Sequence, residues 1–157
     1  MPRTRPCLWF DTQSQEAAEF YVSVFPNSSI STVTHYPEGS GDRAGQVLTV
    51  AFELDGSPFL ALDGGPDFHF TEAVSFEIPC ADQAEIDYYW DTLSADGGET
   101  GPCGWLKDRF GLSWQVVPAD WDRLYDEEEP EKAAKVFAAM MQMSKLDIAA
   151  LEAAREG

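Results

Sequence analysis

A serine and a glutamate two positions apart, Ser75 and Glu77, are candidates for polar chemistry in this sequence. Side chains alternate along a β-strand, so the two would share one face of a predicted strand, with Phe76 and Ile78 on the other. A carboxylate in a cleft can act as a general base. The alternative is a solvated sheet face, and the sequence leaves both open.

Cys103 is a candidate nucleophile, because Lys107 or Arg109 nearby in sequence could activate its thiol. The alternative is a small buried cysteine that serves packing. No histidine is close to Cys103 in sequence, so a Cys–His pair would require the fold to bring His69 to it.

His69 lies between two phenylalanines and could join Glu72 at a metal only if this segment curled, so we expect a loop histidine. Trp9, Trp105 and Phe52 could form the walls of a pocket, although aromatic core is the default role of each.

The segment CGWLKDRFGLSWQVVP, residues 103–118, has the pattern strand, tight turn, strand, ended by a proline that cannot donate to a ladder. Its last strand would place Leu112, Trp114 and Val116 on one face and Ser113, Gln115 and Val117 on the other. The polar face suits the floor of a small pocket, and a half-exposed hairpin strand is the alternative.

Composition limits the possible partners. The chain has 157 residues, 44% of them hydrophobic, and a net charge of -18. Such acidity disfavours nucleic acids and anionic membranes, since phosphate contacts need clustered lysine and arginine. Three cysteines without a CxxC pair predict free thiols. With no membrane-spanning run and no signal-peptide pattern at the N-terminus, we expect a cytoplasmic protein.

Hydrophobic periodicity places these residues on a β-α-β-β-β unit that occurs twice. The first unit has predicted strands over 7–10, 30–36, 46–54 and 57–62 and a helix over 14–25. A capping box of Thr12 and Gln15 would start that helix, and Asp55-Gly56 predicts a hairpin turn.

The second unit has a strand over 74–78 ended by Pro79, then a helix capped by Asp82 and ended by Gly97-Gly98. A short strand over 99–100 and the hairpin over 105–117 complete it. Two helices follow, over 132–143 and 148–155, the second capped by Asp147. The stripe of Val136, Met140 and Met143 predicts core packing or a docking surface.

Several phrases together resemble the PhnB-like family, often labelled 3-demethylubiquinone-9 3-methyltransferase domain, of the vicinal oxygen chelate superfamily (glyoxalase, bleomycin resistance, extradiol dioxygenase). The phrases are LWFDTQSQEAAEFYVSVFPNS, FELDGSPFLALDGGP, CGWLKDRFGLSWQVVP and MQMSKLDIAALEAA. The resemblance covers residues 6–154. It implies an α+β fold in one domain over 1–157, with βαβββ modules at 6–63 and 73–118, each curling its sheet into half of a cupped barrel. The helical extension would be 119–157, and the chain would form a homodimer.

Enzymes of the superfamily often hold a divalent metal on the first and last strands of both modules. The matching places here carry poor ligands, so no metal is expected: they are Pro6-Cys7-Leu8, Ala61, Ala73 or Ser75, and Gln115. His35 and His69 match none of these places. The glycine-rich stretches Gly39–Gly41 and Gly64-Gly65 open no predicted helix, so S-adenosylmethionine and other cofactors are not expected either.

The resemblance favours a metal-free homodimer that encloses a small, partly aromatic or apolar molecule. In such a cup, Ser75 and Glu77 would face Gln115 across the cavity. The expected ligand-binding residues are Ser75, Gln115, Trp105, Trp9, Cys103 and His69. One alternative is an enzyme that uses the same cup with Glu77 as its base, and another is a structural dimer with a filled cup.

Overall fold

The computed structural model describes residues 3–157, so residues 1–2 of the predicted domain lie outside it. The chain divides into two compact units, one ending at Phe70 and the other running Thr71–Gly157. Each unit contains one βαβββ module, and the second unit also holds the C-terminal helices. The predicted α+β fold with a repeated module is confirmed.

The first unit has a four-stranded mixed sheet in the order β1-β4-β3-β2. Its elements are β1 (Cys7–Phe10), α1 (Ser14–Val24), β2 (Ser29–His35), β3 (Val47–Leu54) and β4 (Ser57–Asp63). β1 runs parallel to β4, and the other pairs are antiparallel. α1 covers one face of the sheet, where Tyr21 stacks on Phe52 in the core. Asp55 and Gly56 form the predicted turn, both with positive φ.

The start of α1 differs from the predicted capping box. No side chain of the residue preceding the helix caps it. Instead, Oδ1 of Asp63, at the end of β4, accepts a hydrogen bond from the Ser14 amide at 2.8 Å. A remote carboxylate thus satisfies a free N–H of the first turn, a contact that sequence spacing does not predict.

The second sheet has the order β5-β8-β7-β6. As in the first sheet, the strand that begins the module in sequence, β5, runs parallel to the strand that ends it, β8. The elements are β5 (Ser75–Cys80), α2 (Gln83–Ser94), β6 (Glu99–Thr100), β7 (Trp105–Lys107) and β8 (Ser113–Pro118). Asp82 caps α2 as predicted, accepting from the Glu85 amide at 2.9 Å. Pro79, however, lies inside β5 rather than after it. β5 is at the edge of its sheet, where a missing N–H is tolerated.

Three helices complete the second unit: α3 (Trp121–Leu124), which the sequence did not predict, α4 (Pro130–Met140) and α5 (Ile148–Glu156). They enclose a small core of Leu124, Val136, Leu146 and Leu151, against which Met140 and Met143 pack. The methionine stripe therefore has the packing role. Among residues 3–157, none of the helices combines the length and the apolar character that crossing a bilayer requires.

Candidate functional site

The second sheet has one covered face and one open face. α2 packs against the covered face, where Ile78, Trp114 and Val116 are buried, as the alternation predicts. On the open face, Lys107, Ser113 and Ser75 stand side by side on β7, β8 and β5. In the next row, Trp105, Gln115 and Glu77 are aligned in the same way.

A pocket of about 440 Å³ lies at the β6–β7 side of this face. A volume of this size suits a small molecule. The main side chains that line it are Glu72, Pro102, Cys103, Trp105, Lys107 and Ser113. Two of the predicted ligand-binding residues, Trp105 and Cys103, are among them.

An ion pair between Lys107 and Glu72 lies on the pocket wall. The hydrogen bond to Glu72 raises the pKa of Lys107, and the same bond to Lys107 lowers the pKa of Glu72. Both groups are therefore charged at neutral pH, and together they offer a ligand both a donor and an acceptor.

Ser113 lines this pocket and carries a buried hydroxyl group that the protein leaves unsatisfied. The residue is only 1% exposed, and its Oγ has no hydrogen-bond partner within residues 3–157. Sequence alternation placed Ser113 correctly on the polar face of β8, for which the expectations were a pocket floor or a half-exposed strand. A buried polar group without a partner costs free energy that a ligand with a donor or acceptor could recover.

Cys103 is half-buried at the edge of the pocket and has a φ of 58°, in the left-handed region. Its thiol donates to Sδ of Met141 at 3.6 Å. The two cations named as candidates to activate it have carboxylate partners, since Lys107 pairs with Glu72 and Arg109 lies 3.8 Å from Asp96. The structure therefore gives no support for an activated nucleophile at this position.

The expected polar residues Ser75, Glu77 and Gln115 lie outside the pocket lining. Nε2 of Gln115 donates to Oγ of Ser75 at 2.9 Å, and Glu77 is exposed beside them. The prediction that Ser75 and Glu77 face Gln115 across a cavity is wrong. Their strands β5 and β8 are neighbours, so the three side chains share one sheet face.

Trp9 and His69 belong to the first unit. Nε1 of Trp9 donates to the Gly65 carbonyl at 2.9 Å, and its ring packs edge-on against Phe68. His69 is exposed, as expected of a loop histidine. The ligand-binding roles expected for these two residues remain predictions.

The first unit has a second pocket, also of about 440 Å³, at the loop end of its sheet. Its lining includes Asp11, His35, Tyr36, Arg43 and Asp63. Nη1 of Arg43 lies 3.2 Å from the Tyr36 hydroxyl and 3.4 Å from the Gly64 carbonyl oxygen. None of the predicted ligand-binding residues lines this pocket, and its mixed charges favour no ligand class.

Sequence reasoning missed two residues, Ser113 as a buried group and Asp108 altogether. Asp108 is 2% exposed and lies in the β7–β8 hairpin. Its carboxylate accepts hydrogen bonds from the Phe110 and Leu112 amides and from Nε1 of Trp114. The signal was the aspartate three residues before a turn glycine, a pattern typical of side chains that bond their own backbone.

Two βαβββ modules, each with a four-stranded mixed sheet and a helix on one face, define the glyoxalase/bleomycin-resistance type of fold. Within that class, the chain belongs to the family described as 3-demethylubiquinone-9 3-methyltransferase, whose model matches residues 2–117. The resemblance noted in the sequence is thereby confirmed. No curated protein matches the chain.

Solved structures agree with this assignment. The PhnB protein of Bacillus cereus is 30% identical over 75% of this chain and 100% of that chain, with a TM-score of 0.66. A Pseudomonas aeruginosa protein is 17% identical over 75% of this chain and 98% of its own, with a TM-score of 0.64. The fosfomycin resistance protein FosX of Listeria monocytogenes, in a complex with Mn(II) and sulfate, is 16% identical over 78% of this chain and 97% of its own, with a TM-score of 0.53. The last two show the fold alone.

The residues of this chain do not fit a metal at the places that the superfamily uses. Leu8 pairs with Ala61 in the first sheet, and the donors of the second sheet, Ser75 and Gln115, hydrogen-bond to each other. Within residues 3–157, no cluster of three His, Cys, Asp or Glu side chains is arranged to hold an ion. The absence of a metal requirement remains a prediction.

Within residues 3–157, no glycine-rich turn between a strand and an α-helix is present to hold S-adenosylmethionine, which the family description implies. The junctions of this kind are Asp11–Gln13, Ala81-Asp82 and Ala119-Asp120, and none of them contains glycine. The stretch Gly39–Gly41 was expected to open no helix, but Gly41 begins a single 3-10 turn, Gly41–Arg43. That turn follows a loop rather than a strand, so it does not create a cofactor cradle.

Proposed function

We propose that the chain is a metal-free binding protein for a small, mainly apolar molecule that carries a hydrogen-bonding group. The site is the second-unit pocket. Trp105 and Pro102 supply its apolar wall, and the Lys107–Glu72 ion pair supplies its charged rim. Few polar groups in a largely apolar cavity are typical of small-molecule sites.

The observation that carries this proposal is the unsatisfied buried hydroxyl of Ser113, a residue that lines the pocket. Buried polar groups in folded proteins nearly always have partners, and exceptions often mark functional sites. A ligand donor or acceptor placed at Ser113 would complete its hydrogen bonding, while the ligand's apolar part would contact Trp105.

The test is a fluorescence titration with N-phenylnaphthylamine, a neutral aromatic amine, on protein treated with EDTA. We expect saturable binding, with a dissociation constant about two- to tenfold higher in Trp105→Leu, since an aromatic wall contributes about 0.5–1.5 kcal/mol. Ser113→Val, which fills the pocket, should abolish binding. Adding Mn(II), Ni(II) or Zn(II) should change neither the binding nor the melting temperature.

Phe137→Ala is the matched control, because Phe137 is a large exposed aromatic residue, 47% accessible, outside the pocket. This variant should bind the probe like the parent. If Phe137→Ala rather than Trp105→Leu removes binding, the probe occupies the helical surface and the proposed site is wrong. Loss of binding in Trp9→Leu instead would move the site to the first unit.

We also propose that the chain forms a homodimer, as the family resemblance implies. Exposed Tyr88, Tyr125, Phe137 and Met141 offer apolar surface for a second copy. The chain mass is 17.4 kDa, and sedimentation equilibrium should give a particle of twice that mass. A single species at the chain mass at micromolar concentration would contradict the dimer and leave the pocket proposal intact.

A further inference from the structure

The segment Met141–Ile148, here named the strap, runs from the end of α4 to the first residue of α5 and lies beyond the part of the chain that the family model matches. It runs beside the loop Gly101–Gly104, which forms one wall of the second-unit pocket. The strap lines none of the pocket itself. Its effect on a ligand would therefore act through the loop.

Besides the weak bond from the Cys103 thiol to Sδ of Met141, three hydrogen bonds with N–H or O–H donors join the strap to the loop. The Cys103 amide donates to the Met143 carbonyl at 2.8 Å, and the Gly104 amide donates to the Ser144 carbonyl at 2.8 Å. The Ser144 hydroxyl donates to the Gly101 carbonyl at 2.6 Å. These bonds hold Cys103 at its positive φ, a conformation that a non-glycine residue keeps only when its surroundings enforce it.

Close packing allows the loop little freedom to move. Gly104 also has a positive φ, and a Cβ added there would lie 2.7 Å from the Val116 carbonyl oxygen and 3.1 Å from Leu146. The Gly104 carbonyl in turn accepts from the Val116 amide at 2.8 Å. The loop is thus held between β8 on one side and the strap on the other.

The strap is itself fixed to α2. Gln83 uses both ends of its amide, donating to the Leu146 carbonyl at 3.0 Å and accepting from the Ile148 amide at 2.9 Å. Nζ of Lys145 lies 3.1 Å from Asp87 and 3.2 Å from Asp91. The strap therefore connects a rigid helix to the pocket loop.

We propose that the strap is a positioning element of the ligand site: it fixes the Gly101–Gly104 wall, and with it the ligand affinity of the pocket and the accessibility of the Cys103 thiol. This inference rests on the proposed function for its affinity part only. Gln83 and Ser144 act as positioning residues, since neither lines the pocket. Residues beyond the stretch that the family model matches would thus set the binding properties of this chain.

The test compares variants in a Cys7→Ser background, where Cys103 is the remaining accessible thiol because Cys80 is buried. Two quantities are measured for the folded full chain: the rate at which dithiobis(nitrobenzoate) modifies Cys103, and the dissociation constant of N-phenylnaphthylamine. Ser144→Ala removes one strap–loop bond, and Gln83→Leu removes the two bonds between Gln83 and the strap, while the ion pairs of Lys145 with α2 remain. We expect each variant to raise both the rate of Cys103 modification and the dissociation constant of the probe by about threefold or more.

Arg123→Gln is the matched control, because it removes ion pairs with Asp120 and Glu152 in the same helical extension but touches neither strap nor loop. It should leave the thiol rate and the probe affinity at parental values. The proposal is overturned if Ser144→Ala and Gln83→Leu both behave like the parent. It is also overturned if Arg123→Gln changes both quantities as much as Ser144→Ala and Gln83→Leu do. That result would indicate a general loss of stability in the helical extension.

The thiol rate separates this inference from the proposed function. If the parent does not bind the probe but the two strap variants raise the thiol rate, the strap positions the loop and the proposed binding function fails. If the probe binds and the variants change neither quantity, the binding function stands and the strap has no positioning role.

Discussion

The indole N–H of Trp114 donates a hydrogen bond to Oδ2 of Asp108 at 2.9 Å, six residues earlier in the same hairpin. The other oxygen of that carboxylate accepts the amides of Phe110 and Leu112, at 2.9 and 3.1 Å. The aspartate and the second tryptophan of the segment CGWLKDRFGLSWQVVP are thus structural partners. They hold the turn that brings β7 beside β8, and so they hold the floor of the pocket.

Asp108→Ala should therefore destabilise the protein strongly. It leaves three donors without their acceptor, and each buried unsatisfied group costs about 1–3 kcal/mol. We expect a loss of about 3 kcal/mol or more in urea denaturation. Asp96→Asn, which removes a largely exposed charge 3.8 Å from Arg109 and tolerates the positive φ of 56° at this position, should cost less than about 0.5 kcal/mol. Equal losses in the two variants would contradict the buried role of Asp108.

Asp63 should make stability depend on pH. Burial raises the pKa of Asp63 above its usual range, against the lowering effect of its bond to the Ser14 amide. The folded state therefore binds this proton more tightly than the unfolded state, whose pKa is about 3.9. The contribution of Asp63 is thus fully present below that pH and is lost as the pH rises through the folded-state pKa.

Asp63→Asn removes this titration and keeps an oxygen acceptor for Ser14. The stability of the variant relative to the parent should increase between pH 4 and pH 7, as measured by urea unfolding at each pH. Asp11→Asn, at an exposed carboxylate nearby, should show a much smaller trend. A relative stability that falls with rising pH would show that the sign is wrong.

Ser113→Ala should stabilise the fold while it weakens binding. Replacing an unpartnered buried hydroxyl with a methyl group removes a desolvation cost of about 1 kcal/mol. The melting temperature should rise, and the affinity for N-phenylnaphthylamine should fall. Ser75→Ala is the comparison, because it removes the acceptor of the Gln115 amide and should lower the melting temperature. A lower melting temperature in Ser113→Ala would mean that the hydroxyl has a partner.

Thiol titration should separate the three cysteines. Burial, with help from Glu85 and Asp82, raises the pKa of Cys80 to about 12, and the residue is 1% exposed. Its thiolate is scarce at pH 8, so dithiobis(nitrobenzoate) should modify Cys7 and Cys103 in the native protein and Cys80 only after unfolding. Cys80→Ala serves as the control, because it should lose only the thiol that reacts after unfolding. Rapid reaction of three thiols without denaturant would contradict this assignment.

The sequence predicted the fold well because local signals agreed with it. Strand alternation, the Asp55-Gly56 turn and the caps at Asp82 and Asp147 all have structural counterparts. The errors arose where distant residues decide the structure. The cap of α1 comes from Asp63, and Pro79 stays within β5 because that strand lies at an edge.

The site was less predictable than the fold. Alternation identified the face that carries Ser113 and Gln115, but not that Ser113 is buried. It gave no sign that Lys107 pairs with Glu72, or that a segment near the C-terminus supports the Cys103 loop. These contacts depend on which strands are neighbours and on where the chain returns, and short-range periodicity does not encode either.

The parallel pairing of the first and last strand in each module bears on how the chain emerges from the ribosome. β1 cannot pair until β4 has been synthesised, and β5 must wait for β8. Each opening strand thus remains exposed while most of its module is made, and non-local pairing of this kind slows folding and favours aggregation. Arg5-Pro6 stands directly before β1, and Pro79 lies within β5. Charged and proline residues at such edge strands discourage premature pairing with other nascent chains.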